Sequence, residues 1–264
     1  MEKIMPLVSV VTVSYNAVDC IERTMQSVFG QTYANIEYIV IDGGSNDGTV
    51  GIIQKYASRI DYWISEKDRG IYDAMNKGIR QARGEWISFI NCGDEYCGST
   101  VLEEVFHSAI ENRTGVIYGN IMFKYAWGNV EKKPDDLSGF NRYFPIFHPS
   151  TLVRTSLMKE YLFDTSFRIA ADYHFFYRLY LKKECEFLYI PVCMSIFDAE
   201  SGISSTQQNL FFIENARVTG SYKSFYYHLS FARFRLRNGV AKCMKKILPK
   251  AVVTQIRMKK MMKN

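Results

Sequence analysis

The sequence lacks the features that mark several common protein classes. It contains no apolar run approaching the ~18 residues that a membrane-spanning helix needs. None of its six cysteines belongs to a Cys-x-x-Cys pair, which disfavours a zinc ribbon. Its first residues, MEKIMPLVSV, do not have the layout of a signal peptide. We therefore expect a protein of a reducing, cytoplasmic compartment, in which most cysteines serve as small core residues.

Two frequent nucleotide-binding patterns are also absent. The sequence has no Gly-x-Gly-x-x-Gly after a strand-like segment, and it has no Gly-Lys-Ser or Gly-Lys-Thr phosphate loop. Internal repeats and low-complexity segments are missing as well. The dinucleotide fingerprint and the P-loop are therefore excluded as the basis of any nucleotide site in this chain.

Acidic residues are absent from the end of the chain. Glu214 is the last of them, and 13 Lys and Arg residues follow it. Residues 1–214 carry the other 20 basic residues and all 27 acidic ones, a balance of −7 in a chain of net charge +6. Such a tail predicts contact with a polyanion or an anionic membrane surface. A hairpin with merely solvated charges and a nucleic-acid arm are alternatives. We expect membrane contact and no nucleic acid.

Strand-like and helix-like segments alternate through the first hundred residues. Runs rich in β-branched residues predict strands, and apolar residues at helical spacing predict the helices between them. Asn16 and Asp19 are candidate starts for the first helix. Short connections between alternating elements are typical of a doubly wound, mostly parallel α/β sheet. The predicted strands are residues 7–15, 36–42, 60–66 and 85–91, with helices to about residue 30, at 47–58 and at 73–84.

The rest of the chain is less regular. Residues 100–200 mix helix-like and strand-like segments, and residues 200–209 form a polar linker. Two helical stretches are predicted after it, with a break near Asn238 and Gly239 and with Pro249 inside the second.

Carboxylates follow two of the predicted parallel strands. In such sheets ligands bind beyond the carboxyl ends of the strands. Asp42 closes the second strand before a Gly-rich segment, so it either contacts a ligand or belongs to an ordinary turn. Asp94 follows the fourth strand after Gly93, and it is either a ligand of Mg²⁺ beside substrate phosphates or a turn carboxylate.

Two further candidates lie in the second half of the chain. Asp172 stands near a predicted helix start, where it is either a cap or a general base. His148 precedes a proline in an irregular segment, and it is either a metal or phosphate ligand or a structural residue.

Five segments in a fixed order closely resemble family 2 glycosyltransferases with the GT-A fold, a Rossmann-like α/β fold. The similarity is strong over about residues 6–98, weaker to about 205, and absent from the tail. The nearest likeness is to the bacterial enzymes that build capsule, exopolysaccharide or O-antigen repeat units. The segments are VSVVTVSYN, IEYIVIDGGSNDGT, SEKDRGIYDAMNKGIRQARGEWISFINCGDEY, FHPSTLVR and AADYHFFYRL.

The resemblance implies a domain plan and a reaction. Residues 1–205 would be the GT-A domain, with a nucleotide-donor half to about residue 98 and an acceptor half from 99 to 205. Residues 206–264 would be a basic helical tail. The enzyme would transfer a sugar with inversion from a nucleotide-sugar, most often a UDP-sugar, to a hydroxyl of a glycan or lipid-linked acceptor. It would work in the cytoplasm at the inner face of the membrane.

The resemblance also assigns roles to individual residues. Asp172 would be the catalytic base, and Asp94 would bind Mg²⁺ or Mn²⁺ bridging the donor diphosphate. Gly93 would leave room for that diphosphate. The nucleotide-binding residues would be Ser14, Tyr15, Asp42, Asp68, Arg69, Asp73, Asn76 and Lys77.

This chain departs from the common family pattern at the metal motif. Many relatives have Asp-x-Asp-Asp there, whereas this chain has Asn91-Cys92-Gly93-Asp94 and keeps only the last acid. Asn91 is then a candidate for a supporting contact. A non-catalytic glycosyltransferase-like subunit that binds a nucleotide or a partner is the alternative function. A sugar-1-phosphate nucleotidyltransferase is disfavoured, because SYNAVDCIERT replaces the Gly-rich, basic loop that it needs after the first strand.

Overall fold

The computed structural model describes residues 5–199 and 207–247 of the chain. The chain divides into two compact units, Met1–Thr206 and Gln207–Asn264. Within the described ranges, no helix is both long and apolar enough to cross a membrane.

The first part of unit 1 is a parallel α/β layer. Four parallel strands lie side by side in the order β3-β2-β1-β4, and a helix follows each of the first three. This confirms the predicted alternation, with element ends shifted by a few residues. The strands are β1 (Val8–Ser14), β2 (Ile36–Asp42), β3 (Tyr62–Ser65) and β4 (Trp86–Phe89), and the helices are α1 (Ile21–Phe29), α2 (Thr49–Lys55) and α3 (Ile71–Gln81).

The second part of unit 1 extends the same sheet with mixed pairing. Strand β8 lies antiparallel between β4 and β6, β9 runs parallel to β6, and β5 pairs antiparallel with β9. Strand β7 forms a hairpin with β6. The elements are β5 (Glu95–Tyr96), α4 (Val101–His107), β6 (Thr114–Tyr125), β7 (Gly128–Lys132), β8 (Thr151–Arg154), α5 (Thr155–Tyr161), α6 (Ala171–Lys182) and β9 (Glu186–Asp198).

The sheet is covered on both faces, as the continuous apolar strands predict. Val10 and Val40 pack in one core cluster with residues of α1, α2 and α4. Val11, on the opposite face of β1, meets α3, where a Cβ atom at Gly78 would lie only 2.5 Å from its Cγ1. Glycine at that position therefore lets α3 approach the sheet closely, and the doubly wound α/β prediction is confirmed.

The predicted start of the first helix is wrong. The helix begins at Ile21 behind Cys20, and no side chain caps it. Asn16 instead takes a left-handed conformation with φ 46°, and its side-chain oxygen accepts a hydrogen bond from the N–H of Asn46 at 3.0 Å. Asparagine tolerates this conformation because its short side chain bonds locally, which suits a turn better than a helix start.

Unit 2 contains two helices in its described part, α7 (Gln208–Thr219) and α8 (Phe225–Ile247). The break lies at Gly220 with φ 72°, and α8 runs without interruption past the predicted break at Asn238 and Gly239. The cost of a single internal glycine, roughly 1 kcal/mol, does not end a long helix. Most of the predicted linker and Pro249 lie outside the described residues.

Candidate active site

The carboxyl ends of β1, β2 and β3 meet in register around Asp42. Ser14 is its partner on β1, and Ser65 is its partner on β3. Burial alone raises the pKa of Asp42, but hydrogen bonds outweigh this effect and hold the pKa below its ordinary value. Asp42 therefore fastens the loop after β2 as a carboxylate. Its donors are the hydroxyls of Ser45 (2.6 Å), Ser65 (2.7 Å) and Ser14 (2.9 Å) and the N–H groups of Ser45 (2.9 Å) and Gly44 (3.1 Å).

Tyr15 and Asp68 come together over Gly43 at the same edge. A Cβ atom at Gly43 would lie 2.4 Å from Oδ2 of Asp68 and 3.3 Å from the Tyr15 ring, so a side chain would fill the space between them. The Tyr15 ring is 65% exposed, and Oδ1 of Asp68 accepts a hydrogen bond from the N–H of Gly70 at 2.9 Å. An exposed ring beside a carboxylate can stack on a base and accept hydrogen bonds from a nucleoside.

The other predicted donor residues cluster at the start of α3. Asp73 accepts hydrogen bonds from the backbone N–H and the guanidinium of Arg69, both at 3.1 Å, and the guanidinium contact is the main cause of its lowered pKa. Lys77, one turn later, lies 2.8 Å from Oε1 of Glu66. The Arg69 side chain is 82% exposed and can turn towards a phosphate at small cost, whereas Lys77 is half-buried in its pair with Glu66.

The predicted metal motif is a buried turn with open space beside it. Gly93 has φ 101°, and a Cβ atom there would meet nothing within 4 Å, which agrees with room for a phosphate. Asn91 is buried at its side-chain oxygen, and no donor in the described ranges reaches that atom. Burial raises the pKa of Asp94 well above its ordinary value, and the negative charge of Asp198 adds to the effect.

These oxygen atoms fit a hard divalent cation. Asp198, at the end of β9, is near enough for its negative charge to act on the Asp94 carboxyl and raise its pKa. Mg²⁺ and similar ions take one or two carboxylates and complete their shell with water and phosphate oxygens. Two carboxylates and an unpartnered amide oxygen provide such a partial shell. The described residues contain no larger group, of three or more His, Cys, Asp or Glu, that could hold a metal alone.

Two cysteine thiols are in contact at this turn. The Sγ atoms of Cys20 and Cys92 are 3.1 Å apart, and Cys20 directly precedes α1. The hydrogen bond from Cys92 is the largest influence on Cys20 and lowers its pKa to about 7. The expectation that most cysteines are small core residues is therefore wrong for the described residues, because all five cysteines there are only partly buried, and Cys20 and Cys92 interact.

Asp172 lies in the first turn of α6, where both of its oxygens face other side chains. Oδ1 accepts hydrogen bonds from the N–H of Tyr173 at 2.8 Å and from the hydroxyl of Tyr72 at 3.1 Å. Oδ2 is 3.6 Å from Nδ1 of His148. The carboxylate keeps 18% of its surface exposed, so a substrate hydroxyl can reach it. Its bond to the Tyr173 N–H satisfies a backbone donor of the first turn of α6, as a capping residue does, so the cap and the general-base alternatives both stay open.

His148 sits in an aromatic pocket. Its ring centroid is 5.3 Å from that of Phe89, 5.6 Å from that of Phe163 and 6.0 Å from that of Phe176. The ring is 7% exposed, and Nε2 has no hydrogen-bond partner in the part of the chain that the structure describes. In this pocket, Nδ1 of His148 lies near Oδ2 of Asp172. The suggested metal-ligand role of His148 stays a prediction.

Asn76 and Tyr72 lie one turn apart on the face of α3 that meets the second half of unit 1. The amide of Asn76 donates to the carbonyl of Phe163 and accepts from its N–H, both at 2.8 Å. The hydroxyl of Tyr72 is 2.5 Å from the carbonyl oxygen of Ile169. Asn76 thus fixes the segment before α6, which is a structural contact; its suggested part in the donor site stays a prediction.

Five of the residues predicted from the sequence fall into two groups in the structure. Tyr15, Asp42 and Asp68 lie at the ends of the parallel strands, and Asp172 with His148 lies on the far side of β4. Sequence reasoning missed Tyr72 and Asp198. The sequence held a signal for Tyr72, because Tyr72 and Asn76 are four residues apart on an otherwise apolar face of α3, and such a pair is typical of a buried contact. Asp198 carried none, because its place depends on the pairing register of β5 and β9.

Comparison with known proteins identifies the family. The sequence pattern of Glycosyl transferase family 2 matches residues 9–186. An uncharacterised glycosyltransferase of Mycobacterium tuberculosis is 33% identical over 220 residues, covering 77% of this chain and 79% of its own. A glycosyltransferase of PGL/p-HBAD biosynthesis in Mycobacterium bovis is 24% identical over 209 residues, covering 76% of this chain and 80% of its own.

Solved structures show the same fold. A fragment of Staphylococcus aureus TarS, in complex with UDP-GlcNAc, superposes with a TM-score of 0.65 at 17% identity, covering 85% of this chain and 73% of the fragment. This chain spans only 39% of a longer TarS chain. A Pyrobaculum calidifontis mannosyltransferase, in complex with GDP-Man and Mn²⁺, has a TM-score of 0.64 at 18% identity, covering 97% of this chain and 80% of its own. The chain therefore belongs to glycosyl transferase family 2 and is a glycosyltransferase with a GT-A-like fold.

Proposed function

We propose that this glycosyltransferase moves a sugar, with inversion, from a nucleotide-sugar to a hydroxyl of a glycan or lipid-linked acceptor. The observation that carries the proposal is a pair of carboxyl groups near β4, one in the turn after the strand and one beside a histidine that packs on the strand. Asp94 is buried in the turn beyond the strand, and Asp172 faces His148, whose ring packs on Phe89 of β4. Asp94 would help to hold a cation at the diphosphate leaving group, and Asp172 would accept the proton of the attacking hydroxyl.

Asp172 acts as the general base in this proposal. The acceptor oxygen attacks the anomeric carbon from the face opposite the phosphate, and its proton passes to the Asp172 carboxylate. The bond between the anomeric carbon and the phosphate oxygen breaks, and a nucleoside diphosphate leaves. A positioned base contributes about 10²–10⁴-fold to such a step. Oδ2 is the oxygen suited to the proton, since Oδ1 already accepts a hydrogen bond from the Tyr173 N–H and faces the Tyr72 hydroxyl.

Asp94 and Asp198, with the side-chain oxygen of Asn91, would hold Mg²⁺ or Mn²⁺. A bound cation neutralises charge that develops on a diphosphate leaving group. The support from this chain is the buried carboxyl of Asp94, the nearby charge of Asp198 and the amide oxygen of Asn91, which has no partner among the described residues. Gly93 leaves space next to them for phosphate oxygens.

The nucleoside would lie over Gly43. Tyr15 would stack on the base, and Asp68 would accept hydrogen bonds from the nucleoside. Asp42 would support this site by holding the Gly-rich loop, with Ser14 as one of its donors. Arg69 and Lys77, which are engaged in ion pairs, would turn to the diphosphate. We propose a UDP-sugar as the donor, on the strength of the family resemblance.

The acceptor and the location follow from the tail. A chain end with 13 basic residues and no acid after Glu214 suits an enzyme working beside anionic lipids at the inner face of a cell membrane. A lipid-linked saccharide is the acceptor that such a position would offer. We propose that the product belongs to a bacterial surface polysaccharide.

Transfer assays with radiolabelled UDP-, GDP- and dTDP-sugars test the proposal. Lipid-linked saccharides extracted from bacterial membranes serve as acceptors. We expect incorporation from one donor class, with Asp172→Asn lowering the rate by about 10²-fold or more at unchanged donor affinity. Glu160→Gln, an exposed carboxylate on α5, is the matched control and should keep full activity. Equal rates for Asp172→Asn and wild type would contradict the role of the base.

A non-catalytic, nucleotide-binding subunit is the second candidate. The reduced metal motif favours it, since among the described residues no group of three or more His, Cys, Asp or Glu could hold a metal. This function predicts nucleotide binding without transfer from any donor. It also predicts that Asp172→Asn complements a deletion strain as well as wild type, whereas the enzymatic function predicts that it does not.

A further inference from the structure

Helix α8 has two apolar faces. Tyr227, Phe231 and Phe234 stack on Phe212 of α7, with ring centroids 5.7, 5.3 and 4.8 Å from it. At 3.6 residues per turn these three lie within roughly 60° around the helix axis. This packed face joins α7 and α8, so it accounts for the stability of the helix pair and leaves the other side of α8 to be explained.

The opposite side of α8 carries an exposed apolar stripe. Phe225, Leu229 and Leu236 fall within roughly 40° of one another around the axis, on the side away from Phe212. Their side chains are 76%, 49% and 72% exposed. Single exposed apolar residues are ordinary, but an aligned set on a helix that already has a packed face marks a contact surface.

Arginines flank this stripe on one side. Arg233 lies roughly 40° and Arg237 roughly 80° from its edge, on the side of Tyr226, which is 77% exposed. Arg235 lies nearer the packed face, with its guanidinium 6.0 Å from the centre of the Phe231 ring. No acidic residue occurs between 215 and 264, so the neighbouring sequence supplies no compensating charge. Arginine stems can lie along an apolar surface while the guanidinium groups reach outward to phosphates.

We propose that the stripe of Phe225, Leu229 and Leu236 is the surface by which the protein lies on an anionic lipid bilayer. Helix α8 would rest parallel to the membrane, with the stripe among the upper acyl chains and the arginines on lipid phosphates. The inference rests on the proposed location of the enzyme and names the contacting face. A second copy of this face fits less well, because the chain after Glu214 offers no acidic residue to pair with the arginines.

Vesicle flotation with the full-length protein tests the proposal. We expect binding to phosphatidylcholine vesicles that contain phosphatidylglycerol, weak binding to phosphatidylcholine alone, and weaker binding at higher salt. Leu229→Gln with Leu236→Gln should reduce binding by about tenfold or more, because the apolar contact is lost. Ser230→Gln, exposed on the same helix but off the stripe, should bind as wild type does.

A charge variant and a gain-of-binding variant complete the test. Arg233→Gln with Arg237→Gln should weaken binding by about tenfold or more, at about 1 kcal/mol per charge. Arg80→Gln with Arg142→Gln, which removes two positive charges from unit 1 instead, should leave vesicle binding unchanged. Leu236→Trp should strengthen binding, because tryptophan favours the membrane interface.

Three results would overturn the proposal. They are absence of wild-type binding to anionic vesicles, equal binding by the Leu229 and Leu236 double variant, and loss of binding only through a change in oligomeric state. Transfer to a soluble acceptor without vesicles should be the same for all α8 variants. Failure of the surface therefore leaves the proposed chemistry standing, and an inactive protein that still binds vesicles leaves the surface standing.

Discussion

Nδ1 of His148 lies 3.6 Å from Oδ2 of Asp172, inside a pocket walled by Phe89, Phe163 and Phe176. The aromatic walls fix the imidazole ring, and among the described residues the ring has a polar contact with the carboxylate proposed as the base. Hydrogen bonds at active sites are often long without substrate and shorten in the reacting complex. His148 is therefore placed to orient Asp172.

His148→Leu should lower kcat by about 10–100-fold, the value of a hydrogen bond to a charged group, and leave the KM for the donor unchanged. His148→Asn keeps an N–H donor near the position of Nδ1 and should restore most of the rate. Steady-state kinetics of both variants check this. Equal losses in both, or a change in KM alone, would mean that His148 only fills the pocket.

Tyr72→Phe should lower both stability and rate. The hydroxyl lies between the Ile169 carbonyl oxygen and Oδ1 of Asp172, so its loss removes about 1 kcal/mol of stability and loosens the carboxylate. Tyr33→Phe is the control, because that hydroxyl bonds the Pro6 carbonyl at 2.5 Å. Denaturant unfolding should show similar losses for both variants, whereas only Tyr72→Phe should reduce kcat. A full rate in Tyr72→Phe would exclude the positioning role.

Asn76→Ala should destabilise unit 1 by about 2 kcal/mol or more. The change removes the two hydrogen bonds to the backbone of Phe163, and unpaired buried polar groups cost about 1–3 kcal/mol each. Calorimetric melting measures the loss, and titration with nucleotide should give an affinity close to that of wild type. A normal melting temperature with weakened nucleotide binding would instead place Asn76 in the donor site.

Asp42 should make stability depend on pH in the acid range. Its pKa in the folded protein is below the ordinary value of 3.8, because the hydrogen bonds outweigh the effect of burial. The carboxylate therefore stabilises the fold above that value, and the contribution is lost as pH falls through the lower, folded pKa. The free energy of unfolding lost in Asp42→Asn should be constant between about pH 5 and pH 7, and the loss should shrink below about pH 4. A pH-independent difference would contradict this account.

The sequence predicts the parallel half of the sheet well because each strand there is a short run rich in β-branched or aromatic residues. It places Asp42 and Asp94 at strand ends by the same logic. The break predicted at Gly239 failed, since the long helix α8 tolerates one glycine. The contact between His148 and Asp172 depends on how β8 and α6 fold back on β4, and local patterns carry no information on such distant pairing.

Calorimetric titration of UDP, GDP and dTDP, each with and without Mn²⁺, tests the central claim most directly. The account predicts that one nucleotide binds, that Mn²⁺ strengthens its binding, and that Asp94→Asn abolishes the metal effect while Glu104→Gln, at an exposed carboxylate on α4, preserves it. Absence of binding by all three nucleotides under both conditions would contradict the account and leave the family membership as a statement about fold.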